Sequence, residues 1–359
     1  MFKFNQLENM HLEISNNCQA SCPMCNRNIN GGLENPLIKI RNWTLEEYKT
    51  IMNTEVLNQI KGFYFCGTFG DPLLNNELLE MCEYTRDTNP EIHVQVHTNG
   101  SLRNIDWWTR LASALPKNHR VVFALDGLED THHLYRIGTS YETVIKNAKA
   151  FMDAGGIAEW AFIQFRHNEH QTELARIEAN KLGFKYFTVK NSSRFLLEPR
   201  SKAVDKNGNF MHYIEPASFT PIKFIDKSVI QNYKKILHDA KIECKVLETK
   251  EVYIDAYGDL YACCWHANTP YTYISQDAVT EVREKMLEQH NKMVERLGEV
   301  NTLRRSIKDI INSDEYQNIW EDMWHHDKNI VCARSCGNHP EVEISKCTDQ
   351  FFEVTEFNE

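Results

Sequence analysis

Three cysteines in the run Cys18-Gln-Ala-Ser-Cys22-Pro-Met-Cys25, just after a short apolar stretch near the start of the chain, carry its strongest chemical signal. A [4Fe–4S] cluster needs four ligands, so a tight Cys-x3-Cys-x2-Cys loop that supplies three thiolates leaves one iron open to an outside ligand. Two other readings are open at this point. Cys22-Pro-Met-Cys25 alone has the spacing of a thioredoxin-like redox pair, which leaves Cys18 idle and expects a different strand–helix context. A structural zinc knuckle wants four ligands, usually as two separated pairs.

Further along lie three more segments with chemical character. Phe65-Cys66-Gly67-Thr68-Phe69-Gly70-Asp71-Pro72 is a glycine-proline turn that closes an apolar strand and holds an acidic residue. Val121-Val-Phe-Ala-Leu-Asp126-Gly127 leads into Thr131-His-His-Leu-Tyr-Arg136-Ile-Gly138. A second cysteine set then runs through Cys244, Gly258, Cys263, Cys332-Ala-Arg-Ser-Cys336 and Cys347. In this set a hairpin brings the first two thiolates together, its glycine permits the tight turn, and a later segment supplies the rest.

Together these residues resemble the radical S-adenosylmethionine (radical SAM) superfamily, in the branch that carries a C-terminal auxiliary-cluster domain of the SPASM/twitch class. In that family the amino-acid end of SAM chelates the fourth iron, and one electron cleaves the sulfonium to a 5′-deoxyadenosyl radical. The resemblance implies that Cys18, Cys22 and Cys25 hold the SAM-binding [4Fe–4S] cluster. It implies that Gly70, Asp71 and Pro72 form the turn receiving the SAM amino group, with Asp replacing the usual Glu and Phe69 replacing the first Gly. Arg136 becomes the partner of the SAM carboxylate, and Asp126 and Met24 become further cofactor contacts. Many relatives place a serine two residues before the Asp to meet the SAM ribose; this chain has Ala124, so that contact is expected from Asn99 or Gln164. The second set implies one auxiliary [4Fe–4S] cluster on Cys244, Cys263, Cys332 and Cys336, with Cys347 as substitute ligand. Cys264 adjoins Cys263 and points the other way on an extended segment. A structural zinc site on the same four sulfurs is the alternative. Cys66 and Cys82 fit neither spacing.

The elements that must position these groups are legible as repeated βα units, and the fold class is α/β: a partial (β/α)6 TIM-like barrel with a C-terminal SPASM/twitch-like α+β cluster domain. Strands are predicted at 11–16, 61–66, 91–97, 120–126, 158–166 and 184–190. Thr44-Leu-Glu-Glu47 is a capping box, and further helices are predicted near 75–88, 104–115, 140–154 and 171–182. Glycines at 155 and 183 stand where a helix C-cap needs positive φ. The barrel spans 1–190, a connector with turn signals and prolines spans 191–240 and helps cover the barrel mouth, and the cluster domain spans 241–359. Period-two phasing turns His93, Gln95, His97 and Asn99 inward on the third strand. It turns Ala124 and Asp126 inward on the fourth, Trp160, Phe162, Gln164 and Arg166 inward on the fifth, and adds Glu13 and Lys190. Polar groups at the C-terminal ends of barrel strands are where such folds do chemistry, and His97 and Arg166 are the candidate catalytic residues.

Composition narrows the class. No apolar run approaches a membrane span, and the N-terminus lacks a signal core. Eleven cysteines in clustered spacings suit metal binding in a reducing cytoplasm better than disulfides. A net charge of −10 argues against unaided binding to nucleic acid. The resemblance implies a flavodoxin- or ferredoxin-type electron donor and a small-molecule or peptide substrate, with net oxidation assisted by the auxiliary cluster. Peptide modification is an alternative, weighed down by the lack of a leader-binding segment before the first strand. A non-catalytic iron–sulfur protein for electron transfer or redox sensing needs the clusters but not Gly70-Asp71-Pro72 or Arg136.

Overall fold

The computed structural model describes residues 1–192, 194–195, 200–218, 238–271, 280–338 and 351–357. Six strands form the barrel: β1 (Asn9–Leu12), β2 (Gly62–Phe65), β3 (His93–Thr98), β4 (His119–Ala124), β5 (Ala158–Gln164) and β6 (Tyr186–Asn191). Each pairs in parallel with the next, as alternating βα units require. The helices between them cap as their sequences dictate. Thr44 accepts from the Glu47 amide while Glu47 returns to the Thr44 amide, opening Leu45–Ile51. Gly183 closes Thr172–Leu182 in the left-handed region at φ 93°, which a Cβ would disfavour.

The sheet does not stop at the barrel. β7 (Glu251–Ile254) runs parallel to β1 on its free side, β8 (Leu260–Tyr261) folds back antiparallel on β7, and β9 (Phe351–Glu356) pairs antiparallel with β6. The order is β8-β7-β1-β2-β3-β4-β5-β6-β9. Strands from the C-terminal part of the chain therefore extend both edges of the barrel sheet, which the local sequence pattern does not reveal.

The helix-covered face holds the main core, with Met10, Leu12, Phe63, Phe65, Val94, Val96, Val121, Phe123, Trp160, Phe162, Phe187 and Val189 from successive strands. Trp108 packs on Phe123 and Phe151 there. Burial of such side chains contributes about 1.5–3 kcal/mol each. The other face is the lumen. Here His11 stacks on Tyr64 at 4.5 Å, His97 bonds Gln95 and Gln95 bonds His93, each at 3.0 Å, and Arg120 pairs with Glu159 at 2.8 Å.

The connector contains an unpredicted antiparallel hairpin, Ser201–Val204 with Phe210–Ile214. It lies on the N-terminal cysteine loop: the Val204 amide donates to the Asn30 carbonyl, and Ile214 packs with Ala20, Cys22 and Met24.

Candidate active site and auxiliary cluster site

The first cysteine loop leaves β1 and is pinned from inside by Arg27, buried, whose guanidinium donates to the carbonyls of Cys18 and Asn16. The amides of Cys25 and Asn28 step back to the carbonyls of Cys22 and Cys25, winding the loop tightly. Nitrogen donors approach two sulfurs: Asn99 Nδ2 stands 3.8 Å from Cys18 Sγ, and an Arg136 terminal nitrogen stands 3.9 Å from Cys22 Sγ. Burial pushes the Cys18 thiol well above its usual range, with Asp71, Cys22 and Cys25 adding to the rise. Burial likewise raises Cys22 to about 11, against the pull of Arg136. Cys18, Cys22 and Cys25 thus bring three thiols to one loop. An iron–sulfur cluster fits that donor set.

The turn after β2 rests on two buried carboxylates. Glu13 Oε1 accepts from the amides of Phe69 at 2.7 Å and Gly70 at 3.2 Å, and its Oε2 accepts from the Tyr253 hydroxyl at 2.5 Å. Burial raises Glu13 to about 7, with these hydrogen bonds opposing. Asp71 accepts from the Leu73 amide, the Thr98 hydroxyl, and both the amide and side chain of Asn99. Those bonds tie the turn to the end of β3. They also place Asn99 between Asp71 and the cysteine loop, where its Oδ1 accepts from Gln19 at 2.7 Å. Pro72 opens a single 3-10 turn, and Gly70 presses on β1's continuation: a Cβ there would meet the Ser15 carbonyl oxygen at 1.9 Å.

Asp126 is fully buried. It accepts from Arg136 Nε at 2.5 Å and from the Ile163 amide at 2.6 Å. Burial raises the Asp126 carboxyl, opposed by Arg136, and Arg136 in turn stays charged because Asp126 and Cys22 outweigh the cost of its own burial. Met24 is buried in the loop, and its carbonyl accepts from Arg194. The loop, the turn, Asn99, Asp126 and Arg136 thus form one connected set at the C-terminal ends of β1 to β4.

Two expected members fall elsewhere. On β5 the phase is opposite to the period-two prediction: Trp160 and Phe162 pack outside against Phe184 and Phe187, while Ile163 packs beside the cysteine loop residues. Gln164 therefore faces the helix layer, donating to Thr172 Oγ1 at 2.8 Å, and is not at the ribose position. Arg166 lies beyond the strand and is exposed, its amide bonded to the Glu215 carbonyl, so it does not line the lumen. His97 does face the lumen, beside Tyr64. Burial lowers its pKa well below the histidine norm, so it is a neutral ring. Lys190, at the end of β6, is held near Glu159, Cys66 and Asp126, and burial lowers its pKa.

The second set also converges. Cys244, Cys263, Cys332 and Cys336 line one cavity with Trp265, His266, Trp320 and Trp324. Cys244 precedes helix Lys245–Thr249, Cys263 follows β8, and Cys332 and Cys336 are a turn apart on Ile330–Cys336. Burial raises Cys263 to about 12, and Cys336 pushes it in the same direction. Four thiols in one cavity, Cys332 buried and the other three half-buried, again fit a cluster. Cys264 is turned to neighbours other than that cavity, Glu251 and Cys66 among them. Cys347 lies outside the described residues. Three contributors escaped sequence reasoning: Tyr253, His266 and Gln19. A lone glutamate in the apolar β1 run, Glu13, was the signal that such a partner as Tyr253 was needed.

A three-cysteine loop at the mouth of a partial barrel, with a cysteine cavity beside its first strand, defines a cluster-dependent radical enzyme. The profile of the radical SAM superfamily matches residues 12–170, and that of an iron–sulfur cluster-binding domain, SPASM, matches residues 244–337. The chain carries a radical SAM domain and a C-terminal SPASM-type cluster domain, so it is an enzyme that takes SAM, a SAM-binding [4Fe–4S] cluster and an auxiliary cluster. Among solved structures it is similar to histidine-tagged anSMEcpe with bound AdoMet, at 14% identity and TM-score 0.53 over 96% of this chain and 91% of that one. It is similar also to Streptococcus suis SuiB bound to precursor peptide SuiA, at 14% identity and TM-score 0.52 over 87% of this chain and 66% of that one. At these identities the likeness establishes the fold, and the chain spans about two thirds of SuiB. No curated protein matches the chain. Among the described residues no helix is long and apolar enough to cross a membrane.

Proposed function

We propose that the enzyme removes hydrogen from a small molecule or peptide bound in the lumen and oxidises it by two electrons, the second electron leaving through the auxiliary site. Cys18, Cys22 and Cys25 would hold the cluster that supplies the electron for reductive cleavage of SAM, and Cys244, Cys263, Cys332 and Cys336 would hold one able to accept an electron from the substrate. The substrate carbon–hydrogen bond breaks as its hydrogen passes to the adenosyl carbon; loss of one further electron and a proton leaves the oxidised product.

The observation that carries this reading is the four-cysteine lining of the auxiliary cavity. Four thiolates close a cluster's shell, leaving no corner for substrate, and a closed cluster is suited to accepting an electron. The chain's own groups do the positioning. Glu13 and Asp71 fix the Gly70 turn, Arg136 carries positive charge beside the loop, and the capping hairpin shields the loop from water. A flavodoxin- or ferredoxin-type protein supplies the first electron.

The test is anaerobic turnover of the reconstituted, reduced protein. Formation of 5′-deoxyadenosine from SAM is expected, with deuterium moving into it from a labelled candidate substrate. Recovery of intact SAM from protein carrying both clusters would sink the reading.

A further inference from the structure

The auxiliary cavity has more buried donors than its thiols explain. Trp320 and Trp324 are both buried and both line the cavity; neither Nε1 closes a full hydrogen bond, the Trp320 indole facing the Tyr316 hydroxyl and the Trp324 indole the Cys332 thiol. His266 is buried as well, with Nε2 3.1 Å from Cys332 Sγ and its ring edge-on to Trp320 at 5.3 Å. The Trp324 indole stands beside the same sulfur. Tyr316, one turn before Trp320 on Asp314–His325, holds its buried hydroxyl beside the Trp320 indole, again short of a full hydrogen bond. Buried polar groups are paired in native interiors, and each exception asks for a reason. An indole N–H is a donor only, and the acceptors at hand, the Tyr316 hydroxyl and the cysteine sulfurs, leave both indoles short of a full hydrogen bond. A cluster on Cys244, Cys263, Cys332 and Cys336 would bring acceptors in the form of thiolate and sulfide sulfurs.

We propose that His266, Trp320 and Trp324 form a donor shell for the auxiliary cluster, hydrogen-bonding its sulfurs and raising its reduction potential so that it accepts the substrate electron. Reduction adds negative charge to the sulfurs, so donors aimed at them stabilise the reduced state more than the oxidised one. This deepens the oxidation reading above and rests on it for the direction of electron flow. The three are positioning residues that touch the cluster's ligands rather than the substrate.

The experiment uses the full chain with Cys18, Cys22 and Cys25 replaced by alanine, so that one cluster remains, and follows its reduction by EPR against a set ambient potential. Trp320→Phe and Trp324→Phe keep a ring and delete the donor. Combined, they are expected to lower the reduced-to-oxidised ratio at fixed potential at least tenfold, about 59 mV for one electron. His266→Leu is expected to lower it as well, and His266→Gln, which keeps an N–H, to restore most of the loss. An unchanged potential in all four variants, at an iron content of about four per chain, overturns the proposal. Should the tryptophan variants fail to hold iron, the His266→Leu and His266→Gln pair decides by the same criterion. SAM cleavage, measured separately on the chain with its loop cysteines intact, can fail and sink the functional reading while leaving the potential result standing.

Discussion

The Glu13→Gln variant asks whether a single buried carboxylate, shared between the cofactor turn and the cluster-domain strand β7, sets the pH response of the fold. Glu13 is 1% exposed and accepts from Phe69, Gly70 and Tyr253. Burial raises its pKa from the ordinary 4.5 to about 7. The folded chain then holds this proton more tightly than the unfolded chain, so stability falls as pH rises from about 4.5 to about 7 and is flat above that. At about 1.4 kcal/mol per pH unit, the full loss is about 3 kcal/mol. Glutamine keeps an acceptor for the two amides and offers an N–H to the Tyr253 oxygen, with no charge to bury. The variant should therefore gain on the wild type by about 2–3 kcal/mol between pH 5 and pH 8, read from urea unfolding followed by tryptophan fluorescence under anaerobic conditions. Taking the difference cancels the other buried acids, Asp71, Asp126 and Asp255, whose pKa values burial also raises. A difference that is flat with pH, or that grows toward acid, refutes the assignment.

Gly70→Ala should lower SAM affinity at least tenfold and cost about 1–3 kcal/mol of stability, because the added methyl meets the Ser15 carbonyl and Asn16 Cα, which are backbone and cannot give way; calorimetric SAM binding checks it. Arg136→Ala should destabilise by about 3–5 kcal/mol by leaving Asp126 charged and alone in the interior, and adding Asp126→Asn should recover much of that, as urea midpoints of the two variants would show. Gln164→Ala and Arg166→Ala should leave 5′-deoxyadenosine formation within about twofold of wild type, since one side chain faces the helix layer and the other solvent.

The six-strand order was legible because each barrel strand is an apolar run closed by a turn signal. On β3 the alternation of Val94 and Val96 with His93, Gln95 and His97 reads directly as core and lumen. β5 was not legible in phase. Its residues are apolar on both faces, Trp160 and Phe162 on one and Ala161 and Ile163 on the other, so period two has no contrast to follow. Its two polar residues, Glu159 and Gln164, have opposite parity, and the one that pairs with Arg120 in the lumen is Glu159. Placing Gln164 inward therefore turns the whole strand over and carries Arg166 with it. The cysteine spacings were legible by contrast, because a loop of eight residues leaves the chain little freedom, and the structure brings Cys244, Cys263, Cys332 and Cys336 to one cavity. The donors around them did not show, since Trp320, Trp324 and His266 reach the cavity only through tertiary packing.

The pairing of β7 with β1 has a consequence for how the two sites share the lumen. β1 and β7 run parallel, with Asn9 level with Glu251 and Leu12 level with Ile254, so β1 delivers the Cys18 loop beyond the C-terminal end of the sheet. β8 returns antiparallel, with Leu260 opposite Ile254 and Tyr261 opposite Tyr253, so Cys263, two residues on, falls level with Glu251 at the other end of the strand. Between these levels lie His11, Tyr64 and Tyr253, with His11 stacked on Tyr64 and edge-on to Tyr253, and Tyr64 donating to Glu251 at 3.1 Å. A substrate seated over this aromatic floor would have the radical source toward the strand ends and the electron acceptor toward the strand starts. Hydrogen would leave it on one side and an electron on the other. On the proposed reading that separation would hold a reduced auxiliary centre apart from the SAM to be cleaved next, and it follows from the antiparallel hairpin that Gly258 turns at φ 90°.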